Sequence, residues 1–185
     1  MENLYKVDEY SGKLPNPKSF PIQGATIYAF QDRPYTFSDG FILDLSVREG
    51  DKERLMAKAI KASPFSNLSG VITDAEKSPM LLSEPEFIYD SNYPAYIVFT
   101  PNGEPIAIQV KYYRYFRNRY PGCQFYSKGD KIGIIAIKVD NKVVGTSMPM
   151  FFEERTLTKI KEERQHCSTF NPNLLQASSL FLAGI

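Results

Sequence analysis

Between Lys111 and Tyr120 the chain sets four basic and five aromatic side chains within ten residues, and Pro121-Gly122 ends the run. At 100° per residue a helix splits this segment into two faces. Tyr112, Tyr113, Phe116 and Tyr120 fall on one side and Lys111, Arg114, Arg117 and Asn118 on the other, with Tyr115 and Arg119 on the flank between them. Such a helix has an aromatic side to bury and a basic side to show. Two readings of the basic side stand together. Interleaved Arg and Tyr suit a nucleic-acid strand, the cations meeting phosphates and the rings stacking on bases, and on that reading the contact residues are Lys111, Arg114, Tyr115, Arg117 and Arg119. An ordinary helix that packs its rings and solvates its arginines has the same pattern.

The segment before it is a hairpin. Tyr96–Phe99 and Ile106–Val110 flank Pro101-Asn102-Gly103, where Asn and Gly tolerate the positive φ of a tight turn. After the helix, strands are expected at 124–127, 132–139 and 143–150, separated by Lys128-Gly129-Asp130 and Asp140-Asn141 turns. The first half reads in the same order: strands at 25–30 and 37–47, the second with apolar residues at 41, 43, 45 and 47 in period two, then a helix over Asp51–Ala62, then strands near 68–74 and 85–90. The repeat is one of architecture, without residue-for-residue similarity.

The expected fold is therefore α+β, with mixed or antiparallel sheets, two principal helices and a charged C-terminal helix. Residues 1–24, with Pro15, Pro17 and Pro21, read as an extended arm, residues 25–150 as one domain of two similar halves, 151–170 as the charged helix and 171–185 as a tail. At 185 residues and 43% apolar content the chain can bury a sizeable core. Its 22 basic and 21 acidic groups exclude a surface built as a whole to grip nucleic acid or anionic lipid, so any such contact is local. No apolar run is long enough to span a membrane, and the start lacks the order of a secretory signal, so no membrane is expected as a partner and the location reads as cytoplasmic.

The stretch Ile106–Met150, closing on Met148-Pro149-Met150, resembles the last part of a bacterial DNA sliding-clamp domain, in which a strand leads into a short helix and three strands follow. Ser38-Asp39-Gly40 is similar to a turn seen in the same family. The resemblance covers about a quarter of the chain and implies a clamp-like fold. It does not imply clamp activity, since a clamp ring joins several such domains end to end.

Few residues point to chemistry. Cys123, Cys167 and His166 are too few for a zinc shell, and neither a phosphate-binding glycine pattern nor a nucleophile elbow occurs, so no metal and no cofactor are expected. His166 and Cys167 are adjacent, which on a helix points them about 100° apart and not at each other. Glu153, Glu154, Glu162 and Glu163 are interspersed with Arg155, Lys159, Lys161 and Arg164 at ion-pair spacing and read as a solvated face. The tail carries the second recognition signal. Gln176-Ala-Ser-Ser-Leu180-Phe181 is similar to the short peptides by which replication proteins dock on sliding clamps, which makes Gln176, Leu180 and Phe181 candidate partner contacts; packing of the tail onto its own domain is the other reading. The functional expectation is a non-enzymatic accessory or regulatory protein that binds protein or nucleic acid, in DNA metabolism or mobile-element biology. The alternative is a small enzyme whose catalytic residues are dispersed in sequence.

Overall fold

The computed structural model describes residues 3–16, 26–38, 41–44, 51–59, 68–129 and 133–169. They form β1 (Asn3–Lys6), β2 (Tyr28–Phe30), β3 (Arg33–Ser38), β4 (Phe41–Asp44), α1 (Asp51–Met56), α2 (Leu68–Glu76), β5 (Met80–Leu81), β6 (Phe87–Asp90), β7 (Ala95–Phe99), β8 (Pro105–Gln109), α3 (Val110–Arg119), β9 (Gln124–Ser127), β10 (Ile135–Val139), β11 (Lys142–Ser147) and α4 (Glu154–Thr169). The fold is α+β. The strands build a four-stranded sheet in the order β1-β6-β7-β8 and a seven-stranded sheet in the order β2-β3-β4-β11-β10-β9-β5, and every pairing among the described strands is antiparallel. The chain divides into two compact units, Met1–Phe151 and Phe152–Ile185. The second contains α4, the charged helix.

Turn chemistry sets the hairpins. Asp140 and Asn141 between β10 and β11, and Gln31 and Asp32 between β2 and β3, all take positive φ, the backbone that matches the twist of two-residue hairpins. Gly103 supplies φ +81° beyond β7, and its N–H donates to the Thr100 carbonyl at 2.9 Å. Within the strand expected over 37–47, residues 37–38 belong to β3 and 41–44 to β4, which pair with each other from Tyr35↔Asp44 to Ser38↔Phe41; residues 39–40 and 45–47 lie outside the described residues. β4 then pairs with β11, so the seven-stranded sheet takes strands from both ends of the sequence.

Ile88, Tyr96, Val98, Ile106 and Ile108 of the smaller sheet, the aromatic side of α3, and Phe125, Ile135, Ile137 and Val144 of the larger sheet form one core. The alternate residues Phe87, Ala95, Ile97, Phe99 and Ala107 are buried as well, so β7 is covered on both faces and reads as an unbroken apolar run. The N-terminal arm belongs to this unit. β1 adds to the edge of β6 from Asn3↔Asp90 to Lys6↔Phe87, the Tyr10 hydroxyl donates to Asp90 Oδ1 at 3.2 Å, and Val7, Tyr10 and Leu14 pack against the core.

Two expectations are corrected. Residues 68–74, expected as a strand, lie in α2, although Val71, Ile72 and Thr73 are β-branched. A helix sets Ile72 and Ala75 three apart on one face, both are buried, and α2 packs on β10 and β11, so tertiary packing outweighs a weak local preference. Lys138 secures its far end, donating from Nζ to the carbonyls of Glu76 at 3.1 Å and Ser78 at 2.9 Å. The helix expected over Asp51–Ala62 is α1, which ends at Met56 and continues as turns to Ala59; residues 60–62 lie outside the described residues.

Candidate functional site

Helix α3 follows β8 without a side-chain cap at Gln109 and closes with Tyr120 N–H donating to Phe116 O at 2.8 Å. Gly122, at φ +82°, then turns the chain into β9. Val110, Tyr112, Tyr113, Tyr115 and Phe116 are all buried. Tyr115, placed on the flank by helical spacing, is 7% exposed and meets Phe116 edge-on at 5.5 Å between ring centroids, so its ring is part of the core and is not presented to a base.

The cations of α3 have local partners. Lys111 Nζ lies 4.7 Å from the centre of the Tyr112 ring. Arg114 Nη1 donates to the Pro15 carbonyl at 2.7 Å and thereby ties the N-terminal arm to the helix. Arg119 Nε donates to the Tyr120 hydroxyl at 3.1 Å. Arg117 donates from Nε and Nη2 to the Tyr113 hydroxyl at 3.1 and 3.0 Å and forms an ion pair with Glu84.

Arg117 stands at the centre of a built cluster. Tyr113 stacks on Phe125 at 4.4 Å, and the guanidinium lies 5.4 Å from the Tyr113 ring centre and 5.8 Å from that of Phe125. The Tyr113 hydroxyl, accepting from Arg117, donates to Glu84 Oε2 at 2.9 Å. Glu84 is carried by the segment between β5 and β6, which is pinned by Leu82 N–H to Phe125 O at 2.9 Å and Ser83 N–H to Phe99 O at 2.9 Å. Residues 81–84, Arg117, Gln124 and Phe125 line a cleft of about 270 Å³.

Cys123 lies beside this cluster and is buried. Burial pushes its thiol up to about 11, with the Glu84 charge adding to the effect and Arg117 opposing it. Such a thiol is protonated near neutral pH and is not a nucleophile. Burial also raises Tyr113 well above the ordinary tyrosine value, its bond to Glu84 adding and its bond from Arg117 opposing. Glu84 and Arg117 neutralise each other. The cleft therefore offers apolar walls and an oriented ion pair.

A second cavity, about 120 Å³, lies among Arg33, Tyr35, Ile72, Glu76, Asn141 and Lys142. Among the described residues no three His, Cys, Asp or Glu side chains gather as metal ligands, and no helix is long and apolar enough to cross a membrane. On α4, His166 is exposed and Cys167 half-buried. Gln176, Leu180 and Phe181 lie outside the described residues. Sequence reasoning missed Glu84, which sits in an unremarked polar stretch 33 positions from Arg117. It also missed Leu81, a large apolar residue 45% exposed. No spacing rule marks either one. No family model matches the chain, and comparison with characterised proteins and with solved structures finds no match.

Proposed function

We propose that this is a non-enzymatic accessory or regulatory protein that acts by binding a partner protein. The observation that carries the reading is the cleft at Glu84 and Arg117: it is partly apolar, the segment bearing Glu84 is fixed by backbone hydrogen bonds to Phe99 and Phe125, and Tyr113 and Arg117 orient the Glu84 carboxylate. DNA metabolism or mobile-element biology is the proposed setting. Its support is the order from β8 through α3 and three strands to Met148-Pro149-Met150, which is the order the sliding-clamp resemblance implies.

Thiol reactivity separates binding from dispersed-site catalysis. Under iodoacetamide at pH 7 the folded protein is expected to leave Cys123 unmodified for hours, read by peptide mass spectrometry. Modification within minutes, together with an activity lost in Cys123→Ala, returns the enzyme alternative.

Salt titration separates protein from nucleic-acid binding. Three phosphate contacts from Lys111, Arg114 and Arg117 give a log–log slope of roughly −2 on single strands. Arg117 is already paired with Glu84 while Lys111 and Arg114 contact only a ring and a carbonyl, so single-stranded oligonucleotides are expected to bind with a slope no steeper than about −1.4, two contacts at roughly −0.7 each. A slope near −2 that falls in the Arg114→Ala/Arg117→Ala variant makes nucleic acid the partner.

A further inference from the structure

We infer that the N-terminal arm, residues 3–16, is a releasable strap that fills in cis a docking edge on β6, and that an extended segment of a partner protein takes its place there. This rests on the binding reading above and names a site for it and the control of that site.

The arm follows a defined course yet sinks nowhere into the protein. None of residues 4–16 is buried; Leu4, Val7, Tyr10, Leu14 and Pro15 are partly buried and the others are exposed. Fixing the backbone of each residue costs conformational entropy, while the return scales with the apolar area taken from water. Along the arm the cost accrues at every residue and the return at only a few. The strand it covers is different in kind: Phe87 and Ile88, opposite Lys6 and Tyr5, are 4% and 1% exposed. The arm is therefore a low-stability piece laid on an edge that belongs to the core, and it opens without the rest of the sheet.

Release uncovers a strand edge whose chemistry the arm itself defines. Val7 N–H donates to Glu86 O at 3.2 Å, and in the same register Tyr5↔Ile88, two residues along, is a hydrogen-bonded pair. With the arm lifted, the N–H and C=O of Ile88 and the C=O of Glu86 face outward from a strand held on its other side by β7. Side chains complete the seat. Val7, Tyr10 and Leu14 pack against the core, and the Tyr10 hydroxyl donates to Asp90 Oδ1 at 3.2 Å. Arg114 Nη1 donates to Pro15 O at 2.7 Å at the far end. The segment that replaces the arm pairs its main chain along β6, sets an apolar side chain in the place of Val7 and brings a hydrogen-bond donor to Asp90. Until it arrives, the arm keeps the edge from pairing with other chains.

Hydrogen exchange on the full-length wild-type protein tests release without any variant. The Ile88 amide, held by the arm, is expected to exchange at least about 100-fold faster than those of Ile97 and Val98 in β7, and equal rates overturn the strap. A lock tests docking. Leu4↔Tyr89 is a non-hydrogen-bonded pair, whose Cα atoms lie about 4.5 Å apart in such ladders, so the full-length Leu4→Cys/Tyr89→Cys variant closes the strap on oxidation and frees it on reduction. The probes are a synthetic peptide of residues 1–16 and linear peptides selected on phage against the full-length protein. Both are expected to bind the reduced form at least about tenfold more tightly than the oxidised one, with amide shift changes centred on Glu86, Ile88 and Asp90. Selected peptides that bind the two forms equally overturn this site while leaving a binding protein. Fast Ile88 exchange with no peptide bound overturns the docking edge, and the general binding reading is then judged by the Cys123 labelling. A concentration-dependent dimer that oxidation abolishes gives the edge to a second copy and overturns the partner-protein occupant.

Discussion

Replacing Phe116 by Ala is expected to destabilise the protein by about 3–5 kcal/mol, the range for emptying a fully buried aromatic site. Phe116 is 0% exposed and meets Tyr115 and Tyr120, with the two sheets enclosing the cluster around it. For a unit of this size the loss lowers the melting temperature by on the order of 10 °C. Arg114→Ala, on the same helix, deletes one hydrogen bond to Pro15 and is expected to cost about 1 kcal/mol. The contrast states what α3 does: it is a strut whose aromatic side holds the sheets together, with its cations pinning neighbouring segments. Equal and small effects at both positions in chemical denaturation would remove α3 from the core.

Stability is expected to fall steeply in alkali. Cys123, Tyr113 and Tyr96 all have native values raised above their ordinary ones, with burial as the leading cause; in Tyr96 the Arg114 charge opposes the rise. The folded protein therefore keeps protons that the unfolded chain has released, and a state that binds fewer protons gains ground as pH rises. For Cys123 the contribution is whole below pH 9.0 and is lost by about 11, on the order of 2–3 kcal/mol. The tyrosine contributions begin to be lost above their ordinary value of 10.0. Lys138 acts in the opposite sense, since burial lowers its value, partly offset by Glu76, and stability from this group rises with pH up to 10.5. Tyr10, raised by burial and by its bond to Asp90, adds to the same side, so four groups of one sign stand against one of the other and give a net decline. Denaturant melts from pH 8 to 11 measure it, and Cys123→Ala should flatten the portion between 9 and 11. A profile with no decline, or one that Cys123→Ala leaves unchanged, means that the thiol is not buried beside Glu84 and Arg117.

Much of the architecture follows from local chemistry that any stretch of the chain carries with it. The β7–β8 hairpin and the β10–β11 hairpin are legible because Asn102-Gly103 and Asp140-Asn141 suit tight turns wherever they occur, and Gly103, Asp140 and Asn141 do take positive φ. Helix α3 is legible because the 3.6-residue period sorts its rings from its arginines. What tertiary structure decided is of another kind. α2 has a strand-like sequence and is a helix because β10 and β11 offer a surface for Ile72 and Ala75. Tyr115 sits on a flank by spacing and in the interior by packing, as a member of the core cluster that distant segments build. The basic side of α3 looked free because its partners are remote: Pro15 is 99 positions from Arg114 and Glu84 is 33 from Arg117. The place of β5 as the outermost strand of its sheet is likewise a fact of sheet order that no window of sequence contains. Turns and periodicities are short-range and repeat the same physics in any chain, whereas exposure, charge pairing and sheet edges depend on which distant segments meet.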